Sequence, residues 1–196
     1  SRLLNLIMRM MDVSEGAILI DGQDIRRVAQ RDLRSQIAYV SQSFVSFPGT
    51  IYYNIAYGTV NRGELASKAD VIEVAKAVRL YDTIMERKNG FDSRLSGNGK
   101  QMSGGELQRM GIARALVKKA PILLLDEATA ALDTAMETDI MKYIRNSKDS
   151  RTTVIIAHRI STIMDADQIV VLDHGKVAEL GTHCELVAKG GIYAEM

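Results

Sequence analysis

The chain has 196 residues, 46% hydrophobic and 25% charged, which is enough apolar material for one well-buried domain of ordinary soluble composition. A formal net charge of +1 gives no global pull toward nucleic acid or an anionic membrane, and the single cysteine, Cys184, excludes an internal disulfide and fits a reducing compartment. No apolar run approaches the roughly 20 residues that span a bilayer, and no segment reads as a secretory signal.

The sequence opens Ser-Arg-Leu-Leu, in mid-pattern, which reads as a piece of a longer chain. Leu3, Leu4, Leu6, Ile7, Met10 and Met11 fall at helical spacing, with Arg2, Asn5 and Arg9 on the other face. A helix is therefore under way at residue 1, and the loop that feeds it lies at or beyond the start. Ser14-Glu15-Gly16 reads as a turn, Ala17 to Ile20 as a short strand closed by Asp21-Gly22, and Ile37 to Val40 as a buried strand ending at Ser41-Gln42. From Ile51 to Lys118 the pattern is helical, with no convincing strand. Val71, Val74, Ala75 and Val78 make one face, Asn89-Gly90 and Gly97-Asn98-Gly99 punctuate the stretch, and the helix after Gly105 stops before Pro121. This reads as a helical insertion between two strands of a sheet.

Strand texture returns at Ile122 to Leu125, an apolar run fit for a parallel strand covered on both faces. Asp133 is a candidate N-cap for a helix that buries Met136, Ile140, Met141 and Ile144. Thr153 to Ala157 and Ile169 to Leu172 read as further strands, and a His174-Gly175 turn leads to another from Lys176 to Glu179. Strands alternating with helices predict an α/β fold with a parallel sheet.

Three predicted strands end in polar groups: Gln42, the pair Asp126-Glu127, and His158. A parallel sheet would bring them to one edge, where ligands of open α/β sheets bind. Phosphoryl transfer to water needs a metal to neutralise phosphate oxygens and a group to orient or deprotonate the water. Asp126 could hold Mg²⁺ through its water shell and Glu127 could face the attacking water. Gln42 could ligate Mg²⁺ or hold that water, and His158 could donate to a phosphate oxygen. The plainer readings are a helix-capping Asp-Glu pair, a polar loop glutamine and a structural histidine. His174 and His183 read as structural. Ser103-Gly104-Gly105-Glu106 has the capping-box pattern, and the same helix start offers free N–H groups and positive dipole to a phosphate.

Taken in order, these residues resemble the nucleotide-binding domain of an ABC transporter, along the whole chain. Gln42 matches the Q-loop, and Ser103-Gly104-Gly105-Glu106 with Gln108 and Arg109 matches the signature. Ile122 to Asp126 matches Walker B, Glu127 the catalytic carboxylate, Ala131-Leu132-Asp133 the D-loop and His158 the H-loop. The resemblance implies a P-loop NTPase of the ABC type, a mainly parallel sheet flanked by helices with an inserted α-helical subdomain. Residues 1–45 and 119–196 would form the RecA-like core and 46–118 the helical subdomain with the signature. The Gly-rich phosphate-binding loop would precede Ser1, which aligns with that loop's terminal Mg²⁺ ligand.

In such proteins two domains, identical or different, pair head-to-tail around two ATP molecules. The resemblance then implies Glu127, His158 and Gln42 as catalytic groups, and Asp126, Gln42 and Ser1 as Mg²⁺ ligands. Ser1, Ser103, Gly104, Gly105, Glu106 and Asp133 would bind ATP, with the signature serving the partner's nucleotide. Attached transmembrane domains would hold the domain on the cytosolic or matrix-like side of a membrane, and no nucleic acid would be involved. By the same resemblance, these residues without that loop would not turn over ATP. Met102 replaces the usual Leu, Glu106 the common Gln, and Ala130 the usual D-loop Ser. Phe47-Pro-Gly-Thr-Ile-Tyr-Tyr-Asn-Ile55 is similar to exporters, and Ile20 to Ile25, Asp82 to Met85 and Gly181 to His183 to mitochondrial half-transporters. Peptide and multidrug half-transporters share much of this. Two other readings stay open: a non-transport ABC protein of translation or DNA maintenance, and an inactive module lending its signature to a partner.

Overall fold

The structure is a computed structural model that describes residues 2–96, 101–146 and 151–196. Ser1 and the Gly97-Asn98-Gly99 turn lie outside the described residues. The chain divides into two compact units, Ser1–Ile156 and Ala157–Met196.

The first unit begins with helix α1 (Arg2–Ile7) and a hairpin of β1 (Leu19–Ile20) and β2 (Gln23–Asp24). Asp21 and Gly22 link the two strands at φ 49° and 76°, the doubly left-handed backbone that a tight hairpin turn demands. Helix α2 (Gln30–Ser35) leads into β3 (Ile37–Val40). Then follow β4 (Gly49–Thr50), α3 (Ile51–Ala56), α4 (Lys68–Ala77), α5 (Tyr81–Met85), β5 (Arg94–Leu95) and α6 (Gly104–Leu116). The unit closes with β6 (Ile122–Asp126), α7 (Thr134–Asn146) and β7 (Thr152–Ile156).

β6 is the middle strand of a parallel sheet of order β3-β6-β7, with Ile37 opposite Ile122 and Leu125 opposite Ile155. Side chains alternate across it. Ala38, Val40, Leu123 and Leu125 join one core with Met110 and Ile112 of α6 and Ile140, Met141 and Ile144 of α7. Ile37 and Leu124 join the opposite core with Leu4, Ile25 and Leu33. A strand covered on both faces has no polar-out position, which is why residues 122–125 are uniformly apolar. Lys118 is buried and fastens the end of α6 to the sheet, its ammonium donating to the carbonyls of Arg34 and Ile37 at 2.6 Å each.

The helical stretch expected to hold no strand does hold one. The stretch from Ile51 to Lys118 contains β5, paired antiparallel with β4 through Gly49–Leu95 and Thr50–Arg94. Two residues per strand are too few to show a period of two, so the pairing left no pattern to read. In α6, Leu107 is only partly buried, while Gln108 beside it is buried.

The second unit holds α8 (Ile160–Ile163), β8 (Ile169–Asp173), β9 (Lys176–Gly181), α9 (His183–Lys189) and α10 (Ile192–Glu195). β8 and β9 form an antiparallel hairpin through His174 and Gly175, at φ 45° and 76°. Ile169, Val171, Leu186 and Tyr193 are its core. His183 plays the structural part expected of it, with Nδ1 2.9 Å from the Tyr193 hydroxyl.

Leu124 is fully buried at the centre of the sheet. Leu124→Ala should therefore cost about 2–5 kcal/mol of unfolding free energy, read from the urea midpoint at constant slope. A loss below about 1 kcal/mol would mean the site collapses around the smaller side chain.

Candidate active site

Parallel pairing aligns the C-terminal ends of β3 and β6 and sets the site. Asp126 is the last residue of β6, only 2% exposed, and Glu127 is the first residue beyond it. Two residues past β3, Gln42 donates from Nε2 to Glu127 Oε2 at 2.7 Å. The amide nitrogen thus faces the carboxylate, and the amide oxygen is the atom that could serve as a neutral ligand. From β3 itself Tyr39 donates its hydroxyl to Asp126 Oδ2 at 3.2 Å. Burial first, then the Asp126 charge and this hydrogen bond, push the Tyr39 phenol above its ordinary pKa, so it stays a donor.

Glu127 sits at φ 50°, in the left-handed region that non-glycine residues seldom adopt. Its N–H donates to the carbonyl of Ile156 at 2.9 Å, continuing the β6–β7 ladder one residue past the strand. Its carbonyl accepts from Ala130 N–H at 3.2 Å and from Gln108 Nε2 at 3.3 Å. Glu127 is thereby held on both sides of a strained backbone.

The turn from Glu127 to Asp133 is tied to two helices. Gln108 of α6 accepts from Ala131 N–H at 2.8 Å through Oε1. Glu137 of α7, 4% exposed, accepts from the Thr129 hydroxyl at 2.7 Å. Asp133 caps α7 as expected, accepting from Met136 N–H at 2.9 Å.

The α6 start forms the capping box that the sequence announced. Ser103 Oγ accepts from Glu106 N–H at 3.2 Å, and Glu106 Oε2 accepts from Ser103 N–H at 3.0 Å. Arg87 steadies the Glu106 carboxylate at 3.4 Å. A Cβ at Gly104 would meet nothing within 4 Å, whereas one at Gly105 would lie 3.4 Å from the Ala131 carbonyl. Gly104 thus faces open space, and Gly105 lies in contact range of the turn.

The segment after Gln42 is anchored by Arg114, which nothing in the sequence singled out. Its guanidinium donates to the Asn54 carbonyl at 2.6 Å, to Asn54 Oδ1 at 2.9 Å and to the Val45 carbonyl at 3.0 Å. It also lies 4.2 Å and 4.5 Å from the ring centroids of Phe44 and Phe47. Burial lowers its pKa to about 10, still a cation at neutral pH. Phe44 can lie this close to α6 because position 111 is glycine; a Cβ there would fall 2.6 Å from the ring.

Of the expected site residues, Gln42, Asp126 and Glu127 meet at one sheet edge. Ser103 to Glu106 start α6, Asp133 starts α7, His158 lies in the second unit two residues beyond β7, and Ser1 lies outside the described residues. The described residues contain no cluster of three or more His, Cys, Asp or Glu side chains fit to hold a metal. Asp126 and the Gln42 amide oxygen are a donor set suited to Mg²⁺, which takes one or two protein ligands and fills its shell with water and phosphate oxygens.

A parallel sheet with helices on both faces and a Walker-B-like Asp-Glu at the strand end defines a P-loop NTPase of the ABC type. The sequence profile described as "ABC transporter" matches residues 1–130, and the chain belongs to that family. It is 49% identical over 196 residues, all of this chain, to the ATM1-type heavy metal exporter of Novosphingobium aromaticivorans, of which it covers 32%. It is 45% identical over 194 residues to the ATP-dependent lipid A-core flippase of Methylobacillus flagellatus, covering 99% of this chain and 33% of that protein. A solved bacterial Atm1-family ABC exporter with ATP bound superposes with a TM-score of 0.93 at 48% identity, over 99% of this chain and 33% of that one. The chain thus spans about a third of the length of these relatives.

Tyr39→Phe removes one donor from the buried Asp126 carboxylate. At 3.2 Å the bond is long for a charge-assisted one, so we expect a loss of about 1–2 kcal/mol in urea unfolding. An unchanged midpoint would show that Asp126 replaces this donor at no cost.

Proposed function

We propose that the protein containing this chain hydrolyses ATP and uses the cycle to power export by an ABC transporter. The observation that carries this reading is the 2.7 Å contact of Gln42 with Glu127, beside Asp126 at the end of β6. The names of the relatives, an exporter and flippases, favour transport over a role in translation or DNA maintenance.

In this reading Glu127 takes the proton of the attacking water, and Gln42 fixes the orientation of its carboxylate. Asp126 and the Gln42 amide oxygen hold Mg²⁺, which when bound neutralises charge on the phosphate oxygens. Ser1 completes that set, and His158 donates to the γ-phosphate. Ser103, Gly104, Gly105 and Glu106 bind the ATP of a second nucleotide-binding domain, identical or different, through the N–H groups of Gly104 and Gly105 and the positive end of α6, with the Ser103–Glu106 capping box holding that helix start in place. In the same reading Asp133, at the end of the turn from Glu127, takes part in binding ATP. A two-fold pair uses one such surface twice, so each domain completes the other's site.

Among the described residues no helix is long and apolar enough to cross a membrane. The membrane connection in this reading is made by transmembrane domains outside these 196 residues, with this domain on the cytosolic or matrix-like side.

Glu127→Gln in the full-length transporter should slow ATP hydrolysis by about 10²–10⁴ while leaving ATP-dependent pairing intact. Phosphate release and light scattering read the two effects. Turnover near the wild-type rate would remove Glu127 from the role of base.

A further inference from the structure

We propose that Gln108 is the positioning residue that holds Glu127 in its working conformation; the inference rests on the role proposed for Glu127. Gln108 is 7% exposed, on the α6 face shared with Ile112, in a row otherwise given to apolar side chains. A buried amide in such a row is costly unless both ends are bonded. Both are. Nε2 donates to the carbonyl of Glu127 at 3.3 Å, and Oε1 accepts from the N–H of Ala131 at 2.8 Å. The two contacts fix the polarity of the amide, because only nitrogen can face a carbonyl and only oxygen an N–H.

The amide therefore bridges the first and fifth residues of the turn from Glu127 to Ala131. Glu127 needs such a bridge, since its backbone stands at φ 50°. Left-handed backbone at a non-glycine persists where its surroundings over-determine it. The Ile156 carbonyl holds the N–H of Glu127 and Gln108 holds its carbonyl, so the peptide planes on both sides are fixed. Rotation of either plane would swing the carboxylate away from Gln42. Gln108 also stands five residues along α6 from Ser103. One side chain thus joins the helix whose start is offered to a partner's nucleotide to the backbone of the residue proposed to serve this chain's own.

The test is a four-member cycle in the full-length transporter: wild type, Gln108→Met, Glu127→Gln and the double variant. Met fills the volume and removes both hydrogen bonds. Gln108→Met should lower kcat by about ten- to a hundredfold with little change in KM for ATP. In the Glu127→Gln background the same change should cost roughly twofold or less, because the group it positions is already gone. Gln108→Glu keeps an acceptor for Ala131 N–H but sets oxygen against the Glu127 carbonyl, and should lose kcat as Gln108→Met does. Ile112→Val, a stability control on the same helix, should lower the melting temperature and leave kcat unchanged.

Equal losses in both backgrounds, or an undiminished kcat in Gln108→Met, would overturn the proposal. If Gln108→Met fails to fold, Gln108→Glu decides by the same comparison of backgrounds. A Glu127→Gln enzyme that turns over normally refutes instead the role of Glu127, and the two failures are told apart by that single variant.

Discussion

The parallel pairing of β6 between β3 and β7 is the constraint on which the rest depends. It puts Ile122, Leu123, Leu124 and Leu125 where every side chain meets a core, with Leu123 and Leu125 on one face and Leu124 on the other. Each fully buried aliphatic side chain contributes about 1.5–3 kcal/mol over leaving it in water. That burial fixes the register, because a slip by one residue would exchange the two faces. Fixed register then delivers chemistry at the strand ends. Asp126 falls opposite Ile156, Glu127 bonds to the Ile156 carbonyl, and Val40 falls opposite Leu125, two residues before Gln42 reaches Glu127. The contact between Gln42 and Glu127 is thus a consequence of hydrophobic register at one remove.

Beyond the strand, hydrogen bonds take over from burial. The turn from Glu127 to Asp133 is gripped by Gln108 from α6 and by Glu137 from α7, and its last residue, Asp133, caps α7. Each of those helices packs an apolar face on the sheet, through Met110 and Ile112 in α6 and Ile140, Met141 and Ile144 in α7. The turn is therefore positioned relative to the sheet by way of two rigid helices, and a mis-set helix would be felt at Glu127. A comparable arrangement holds the segment after Gln42, where Arg114 of α6 gathers the carbonyls of Val45 and Asn54 under the rings of Phe44 and Phe47. Both flanks of the site thus hang from α6.

What was legible in the sequence follows from this division. Uniform apolar runs mark β3 and β6, and the residue types at their ends pointed to Gln42, Asp126 and Glu127 before any geometry was known. Capping at Ser103 and Asp133 was legible because it is a local rule with local spacing. Tyr39, Gln108, Glu137 and Arg114 act across separations of 87, 19, 8 and 60 residues, and no local period encodes such contacts. Gln108 and Glu137 did leave a trace, as polar residues on helix faces that the hydrophobic pattern assigns to the core. β5 left none, being only two residues long.

The backbone at Glu127 shows how the proposed function and the fold compete at one residue. A left-handed conformation at a non-glycine costs on the order of 1–3 kcal/mol, and glycine would relieve it at once. Glycine, however, carries no carboxylate, and the turn is where β6 must stop and hand the chain toward α7. Retaining glutamate at φ 50° means that other interactions offset the strain. The Ile156 carbonyl, the Ala130 N–H and the Gln108 amide each contribute about 0.5–1.5 kcal/mol, together enough to cover it. None of the three touches the carboxylate: they hold the backbone, while Gln42 donates to an acid oxygen.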